Sequence, residues 1–91
     1  MLFVALLKST ASTPKERMTR RVQWQYPEGM EPIAEYWPQT ADLGVISIFE
    51  TESIAPIMAT LAEWDDVFDI TVVPAVTAEE GLQLVQQMAQ G

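Results

Sequence analysis

The chain has 91 residues, no cysteine, no histidine and a formal net charge of −8. Its length predicts a single domain, residues 1–91, and an apolar content of 48% predicts a globular one. The two missing residue types exclude disulfides, the common zinc sites, cysteine nucleophiles, Ser-His-Asp triads and histidine-ligated haem. We therefore expect neither a metal nor a cofactor.

The charge is unevenly distributed along the chain. Residues 1–21 hold all five basic groups and one acid (+4), whereas residues 22–91 hold twelve acids and no base (−12). An acidic surface repels phosphate backbones, so we expect no nucleic-acid partner. The cations of the first predicted helix can attract an anionic ligand or a membrane surface. We favour the interpretation in which they face water and offset the acidic bulk, and we expect no membrane partner.

The opening segment MLFVALL is apolar but only seven residues long. It lacks a preceding basic region and a small-residue cleavage site, and it is too short to span a bilayer. We therefore expect the protein to be cytoplasmic.

The first predicted elements are a strand over residues 2–7 and a helix that begins near Pro14. Thr13-Pro14-Lys15-Glu16 is typical of a capping box with proline at the first helical position. A turn is indicated by residues 26–29, because Pro27 disfavours a helical residue before it. The expected inward side chains of this helix are Met18, Val22 and either Gln25 or Tyr26.

Two further strands are predicted over residues 31–38 and 43–50, joined by a turn at 39–42. Alternation places Glu35 and Trp37 on one face of the second strand, together with Ile33. Pro38 ends this strand or marks a bulge, which favours an edge position. The third strand alternates Leu43, Val45, Ser47 and Phe49 with Gly44, Ile46, Ile48 and Glu50.

The second half of the chain predicts a helix, a strand and a last helix. Ser53 is the expected cap of the second helix, with Pro56 in its first turn. The fourth strand covers residues 68–74, and Thr77-Ala-Glu-Glu80 predicts another capping box. The expected core side chains are Ile54, Ile57, Met58 and Leu61 on the second helix, and Leu82, Val85, Met88 and Ala89 on the last.

The element order βαββαβ plus a terminal helix predicts a ferredoxin-like α+β fold with an antiparallel sheet in the order 4-1-3-2. The first and third strands, apolar on both faces, fit its centre. Two helices cover only one face of such a sheet, and soluble monomers rarely expose a large apolar patch. We therefore expect a homodimer with sheets packed face to face. The alternative is that the terminal helix covers the bare face.

Four segments carry a family resemblance: MLF at the start, PEG at 27–29, LGVISIFETES before the second helix, and LAEWDDVFDITVVPAVTAEEG at 61–81. With them the chain resembles a family of small uncharacterised bacterial proteins, a domain of unknown function, in the dimeric α+β barrel superfamily. The resemblance implies this dimeric fold. Relatives commonly look like RWH where this chain has Tyr36-Trp37-Pro38, so no role that needs the imidazole carries over. The superfamily includes cofactor-independent oxygenases, isomerases, dehydratases and haem-degrading enzymes.

The candidate ligand-binding residues are Glu35, Trp37, Ser47 and Trp64. A carboxylate among aromatic groups would have a raised pKa suited to proton transfer, and Ser47 adds a hydroxyl. The alternative is an exposed edge glutamate, a packed tryptophan and a serine bonded to backbone. Trp64 is expected to cover the core or to lie at the dimer seam. Neighbouring acids at 63, 65, 66 and 69 are more typical of a solvated turn than of a cation site.

Two classes of function follow. In the first, a dimeric barrel binds a small apolar or aromatic molecule in a cleft between sheet and helices, with monooxygenase- or isomerase-like catalysis as a variant. In the second, the protein is a non-catalytic structural or regulatory dimer that binds another protein. A cavity where Glu35, Ser47 and Trp37 converge favours the first, and a filled interior favours the second.

Overall fold

The computed structural model describes residues 1–90. Its elements in chain order are β1 (Leu2–Ser9), α1 (Pro14–Gln23), β2 (Met30–Tyr36), β3 (Val45–Thr51), α2 (Ala55–Trp64), β4 (Phe68–Ala75) and α3 (Ala78–Gln90). The strands form one antiparallel sheet in the order β2-β3-β1-β4. The predicted ferredoxin-like α+β arrangement is thus confirmed, with β1 and β3 central, β2 and β4 at the edges, and an additional C-terminal helix.

A bulge interrupts the pairing of β2 with β3. Pro32 pairs with Phe49 and Ala34 pairs with Ile48, so Ile33 is the extra residue. Proline has no N–H to donate to a sheet ladder, which explains an irregularity beside Pro32 on this edge strand. The simple alternation predicted for the second strand was therefore wrong at Ile33.

Side-chain caps fix where helices α1 and α3 begin. At α1, the Thr13 hydroxyl accepts from the Glu16 N–H at 3.2 Å, and the Glu16 carboxylate accepts from the Thr13 N–H at 3.3 Å, which confirms the capping box. At α3, the Thr77 hydroxyl accepts from the Glu80 N–H at 3.1 Å. At α2 the N-cap is Ile54, whose side chain makes no capping hydrogen bond, so the prediction that Ser53 caps this helix was wrong. The Ser53 hydroxyl accepts instead from the Ala55 N–H at 3.1 Å, just before the helix.

The core lies on one face of the sheet, between the strands and helices α1 and α2. It is built from alternate residues of each strand, which point to the same side. Side chains of α2 and of the turn after this helix cover the core on the side away from the sheet. The buried apolar residues are Ala5, Leu7, Met30, Phe49, Ile57, Trp64, Val67 and Phe68.

Helix α2 buries a narrower stripe than the sequence predicted. Ile57 and Trp64 are buried and Leu61 packs against them, at the i, i+4, i+7 spacing of one helix face. Ile54 and Met58 are exposed, so the prediction that both lie in the core was wrong. Met58 follows Ile57 by one residue, which turns it about 100° around the axis and away from the sheet.

Helix α1 turns a partly charged side toward the sheet. Val22 is 83% exposed, so its predicted inward position was wrong, and Met18 is about half exposed. The inward positions belong instead to Arg17 and Arg21, one turn apart, which line the space above the sheet with Met18. Tyr26, one of the two alternatives after the helix, does pack against the core.

Helix α3 does not bury its apolar side in this chain. Leu82, Val85, Met88 and Ala89, predicted to face inward, are all exposed, as is every residue from 82 to 90. The radius of gyration is 15.4 Å, compared with about 12 Å for a compact domain of this length. The structure therefore gives no support to the alternative in which the terminal helix covers the bare sheet face.

The second face of the sheet is apolar as predicted. Its central side chains alternate with those of the core, and none of them is fully buried. They are Leu2, Val4 and Leu6 on β1, Ile46 and Ile48 on β3, and Val73 on β4. We call this surface the open face.

Among residues 1–90, no helix has the length and apolar character that a bilayer crossing requires.

The packing of α2 predicts a large loss of stability at one residue and a small change at its neighbour. Ile57→Ala should lower the free energy of unfolding by about 2–5 kcal/mol, because it leaves a cavity in the core. Met58→Ala, the control one position away, should change it by less than about 1 kcal/mol, because that side chain is exposed. Urea denaturation measures both, and equal losses would contradict this orientation of α2.

Candidate functional site

Glu35 lies on the helix-covered face near the end of β2. It pairs across the strands with Ser47 of β3, so both side chains point toward the helices. Only 17% of the Glu35 side chain is exposed. The interpretation of Glu35 as an exposed edge residue was therefore wrong, because helix α1 and the segment after it cover this end of the strand.

Both carboxylate oxygens of Glu35 accept hydrogen bonds from three residues. Arg21 donates from Nε to Oε2 at 3.0 Å and from Nη2 to Oε1 at 2.9 Å, which makes a two-pronged ion pair. The Tyr26 hydroxyl donates to Oε1 at 2.6 Å, and the Trp37 indole Nε1 donates to Oε2 at 2.7 Å. We call Glu35, Arg21, Tyr26, Trp37 and Ser47 the Glu35 cluster.

Ser47 joins the cluster through Tyr26. The hydroxyl groups of the two residues are 2.9 Å apart, and Ser47 is buried. Tyr26 thus connects β3 to the carboxylate on β2. The alternative in which the Ser47 hydroxyl bonds to backbone was wrong, because this hydroxyl contacts the Tyr26 side chain instead.

The end of α1 positions Arg21. The helix stops at Gln23, Trp24 is extended, and the Arg21 Nη1 donates to the Trp24 carbonyl at 3.1 Å. The guanidinium lies 5.3 Å from the Trp24 ring centre and 5.5 Å from that of Tyr26, within cation–π range. The Arg21 guanidinium is therefore packed against two aromatic rings.

The hydrogen bonds keep Glu35 charged. Burial alone would raise its pKa, but the hydrogen bonds from Arg21, Tyr26 and Trp37 outweigh burial, so the pKa lies below its ordinary value. Burial, reinforced by the hydrogen bond to Glu35, raises the pKa of Tyr26 to about 12. The predicted raised pKa of Glu35 was thus wrong, because the sequence did not identify its three donors. At neutral pH the glutamate is ionised and the tyrosine protonated.

Trp64 belongs to an aromatic wall at the end of α2. Its ring is 5.9 Å from that of Trp24, edge to face, and 5.6 Å from that of Phe68. The Arg20 guanidinium lies 4.6 Å from its ring centre, within cation–π range. Trp64 is buried, in agreement with the prediction that it covers the core.

A cavity of about 420 Å³ lies between the helix-covered face and helices α1 and α2. It reaches the surface, since half-exposed Met18 and Trp37 line it. All four predicted ligand-binding residues, Glu35, Trp37, Ser47 and Trp64, lie on its wall. Most of the remaining wall is apolar or aromatic, including Leu7, Met18, Trp24, Tyr26, Val45, Phe49, Ile57, Leu61, Phe68, Ile70 and Val72.

Arg21 and Tyr26 are the site residues that the sequence analysis missed. The charge pattern places Arg21 with the other cations on a water-facing surface, and the sequence predicts only a packing position for Tyr26. A signal was present in the sequence: Arg17, Arg21 and Trp24 follow the i, i+4, i+7 spacing of one helix face. A charge at such inward positions calls for a buried partner.

The acidic residues at the end of α2 contribute one surface ion pair. Asp66 pairs with Arg20 at 3.0 Å, and Arg20 also donates to the Glu63 carbonyl. No group of three or more acidic side chains converges as a metal site would require, within the ninety residues described.

The Glu35 cluster predicts a pH-dependent contribution to stability. Glu35→Gln should lower the free energy of unfolding at pH 7 by about 1–3 kcal/mol, because it leaves Arg21 without its counter-ion. Since the folded pKa is lowered, the wild-type advantage is complete above the unfolded pKa of about 4.3 and is lost as pH falls through the folded value.

Urea denaturation across pH 7 to 3 measures this advantage. The control is Glu31→Gln, an exposed glutamate of the same strand, which should change stability little at any pH. A Glu35→Gln loss that persists undiminished at pH 3 would contradict an ionised Glu35.

Comparison with known proteins agrees with the resemblance found in the sequence. A family model described as DUF3303, a domain of unknown function, matches residues 1–89. No curated protein and no solved structure gives a significant match to the chain. Because the matched region covers almost the whole chain, the protein belongs to the DUF3303 family.

Proposed function

We propose that this protein binds a small apolar or aromatic molecule in the cavity between the sheet and helices α1 and α2. The observation that carries the proposal is the cavity itself: about 420 Å³, with a mostly apolar wall and one converged polar cluster. Ligand sites in proteins are commonly clefts of about 300–1,000 Å³ with this combination of surfaces. A domain of this size that needed only to fold would gain stability by filling such a space.

The chemistry of the Glu35 cluster favours binding over proton transfer. A general acid or base works best with a pKa near the operating pH. Glu35 has a lowered pKa and Tyr26 a pKa of about 12, so neither is poised to exchange a proton near pH 7. The catalytic variant, an isomerase- or monooxygenase-like reaction, therefore has less support than a binding role.

The hydrogen bonds of the Glu35 cluster are complete before any ligand binds. Each oxygen of Glu35 already accepts bonds at 2.6–3.0 Å, so this carboxylate needs no further partner when a molecule enters the cavity. Such preorganisation lowers the cost of binding. A pocket of this kind selects by shape and by the flat faces of Trp24, Trp37 and Trp64.

We propose in addition that the protein acts as a homodimer through its open face. The apolar side chains of β1 and β3 on that face are only partly buried in one chain, and the apolar side of α3 is exposed. Burial at about 25 cal/mol per Å² would favour association strongly before its entropic cost. A second copy supplies an identical apolar surface, and two-fold symmetry lets each open face cover the other.

Filling part of the cavity should weaken ligand binding without unfolding the protein. Ala5→Leu places three more carbon atoms into the cavity from the central strand, so affinity for the neutral fluorescent probe N-phenyl-1-naphthylamine should fall at least about tenfold. Ala62→Leu, the same substitution on the exposed side of α2, should leave it unchanged. Fluorescence titration with thermal melting as a folding check decides; undiminished binding to a folded Ala5→Leu variant would contradict the proposal.

The dimer is tested by a charge on the open face. Ile48→Glu should halve the molar mass measured by light scattering, because two carboxylates would be buried at the shared interface. Met58→Glu, on the exposed side of helix α2, is the control and should keep the wild-type mass. A wild-type protein that stays monomeric at high concentration would overturn the proposed dimer and leave the cavity untouched.

A further inference from the structure

The charged side chains that line the cavity do not cancel. They are Arg17, Arg21 and Glu35, which sum to +1 in a chain whose net charge is −8. Glu35 is matched by the two-pronged contact with Arg21. In the described part of the chain, the other ion pair is Arg20 with Asp66, outside the cavity. Arg17 is therefore a cavity-lining cation without a carboxylate partner among residues 1–90.

Arg17 is held in place by one of its nitrogens. Its Nη1 donates to the carbonyls of Ala11 and Ser12, at 2.8 and 2.9 Å, and its guanidinium carbon lies 6.0 Å from the Phe68 ring centre. An arginine has five N–H donors in a flat fork. Anchoring through Nη1 fixes the plane of the group and leaves the Nε and Nη2 donors for a further acceptor.

Ser9 adds a hydroxyl at the same end of the cavity. Both Ser9 and Gly44 line it, beside Phe68. A Cβ on Gly44 would lie 2.7 Å from the Ser9 hydroxyl and 3.3 Å from the Phe68 ring, so a side chain at position 44 would obstruct this corner. The corner thus combines a fixed guanidinium, a hydroxyl and an aromatic ring.

We infer that the ligand of this cavity carries one anionic group, a carboxylate or its equivalent, which Arg17 binds at the Ser9–Phe68 corner while the apolar body occupies the aromatic interior. The inference rests on the proposed binding function and specifies its ligand class. A guanidinium binds a carboxylate through paired, charge-assisted hydrogen bonds. The ligand would supply the one negative charge that balances the lining residues.

Two probes of nearly the same shape test this. 1-Anilinonaphthalene-8-sulfonate is anionic, and N-phenyl-1-naphthylamine is the same ring system without the sulfonate. We expect the wild-type protein to bind the anionic probe at least about tenfold more tightly, despite its acidic surface. Arg17→Met, which keeps the apolar stem, should remove that preference by weakening the anionic probe about tenfold and the neutral probe by less than about twofold.

The control is Arg20→Met on the same helix, which should keep the wild-type preference because Arg20 lies outside the cavity wall. If Arg17→Met does not fold, salt serves in its place: raising NaCl from about 0.05 to about 0.5 M should weaken the anionic probe on the wild-type protein and spare the neutral one. Equal affinities for both probes, insensitive to Arg17→Met or to salt, would overturn the anionic ligand alone. Failure of both probes to bind would overturn the proposed function as well.

Discussion

The site depends on the hydrogen bonds that the ionised carboxylate of Glu35 accepts. This carboxylate accepts hydrogen bonds from Arg21 of helix α1, from Tyr26 in the connection that follows and from Trp37 beyond strand β2. Tyr26 extends the network to Ser47 of β3. One side chain thus fixes α1 relative to the sheet at the place where α1 contributes no fully buried apolar residue of its own. The ion pair between Arg21 and Glu35 attaches α1 to the sheet, whereas apolar packing attaches α2.

This arrangement explains how so small a domain can keep a cavity. Helix α2 carries the apolar packing through Ile57 and Trp64, and α1 is held at its C-terminal end by the Glu35 cluster. The space between them need not be filled for either helix to stay in place. Keeping it open costs packing energy in a chain that is marginal by size, which is consistent with a ligand that completes the core when it binds. The open face, if paired with a second copy, would offset the same cost from the other side of the sheet.

The fold followed from local patterns, whereas the site did not. Strand alternation, the capping box at Thr13 and the side-chain cap at Thr77 determine the element order, and right-handed crossovers restrict the sheet to one arrangement. The errors lie where one helical turn offers two apolar stripes: Met58 and Val22 fit a core as well by sequence as Ile57 does. Pairing of Glu35 with Arg21, fourteen residues earlier, depends on the angle at which α1 crosses the sheet, which local patterns do not specify. For that reason the sequence identified Glu35 but assigned its pKa the wrong direction.

The most direct test of a ligand site between sheet and helices is an ¹H–¹⁵N correlation spectrum recorded during titration with 1-anilinonaphthalene-8-sulfonate. The chain has three tryptophans, and the indole rings of all three lie on the cavity wall, whereas α3 and the open face carry none. Binding in the cavity should shift the three indole N–H signals together and leave the amides of α3 in place. Shifts confined to α3 and to β1 and β3 residues of the open face, with the indole signals unmoved, would show that the probe coats exposed apolar surface and would contradict the account.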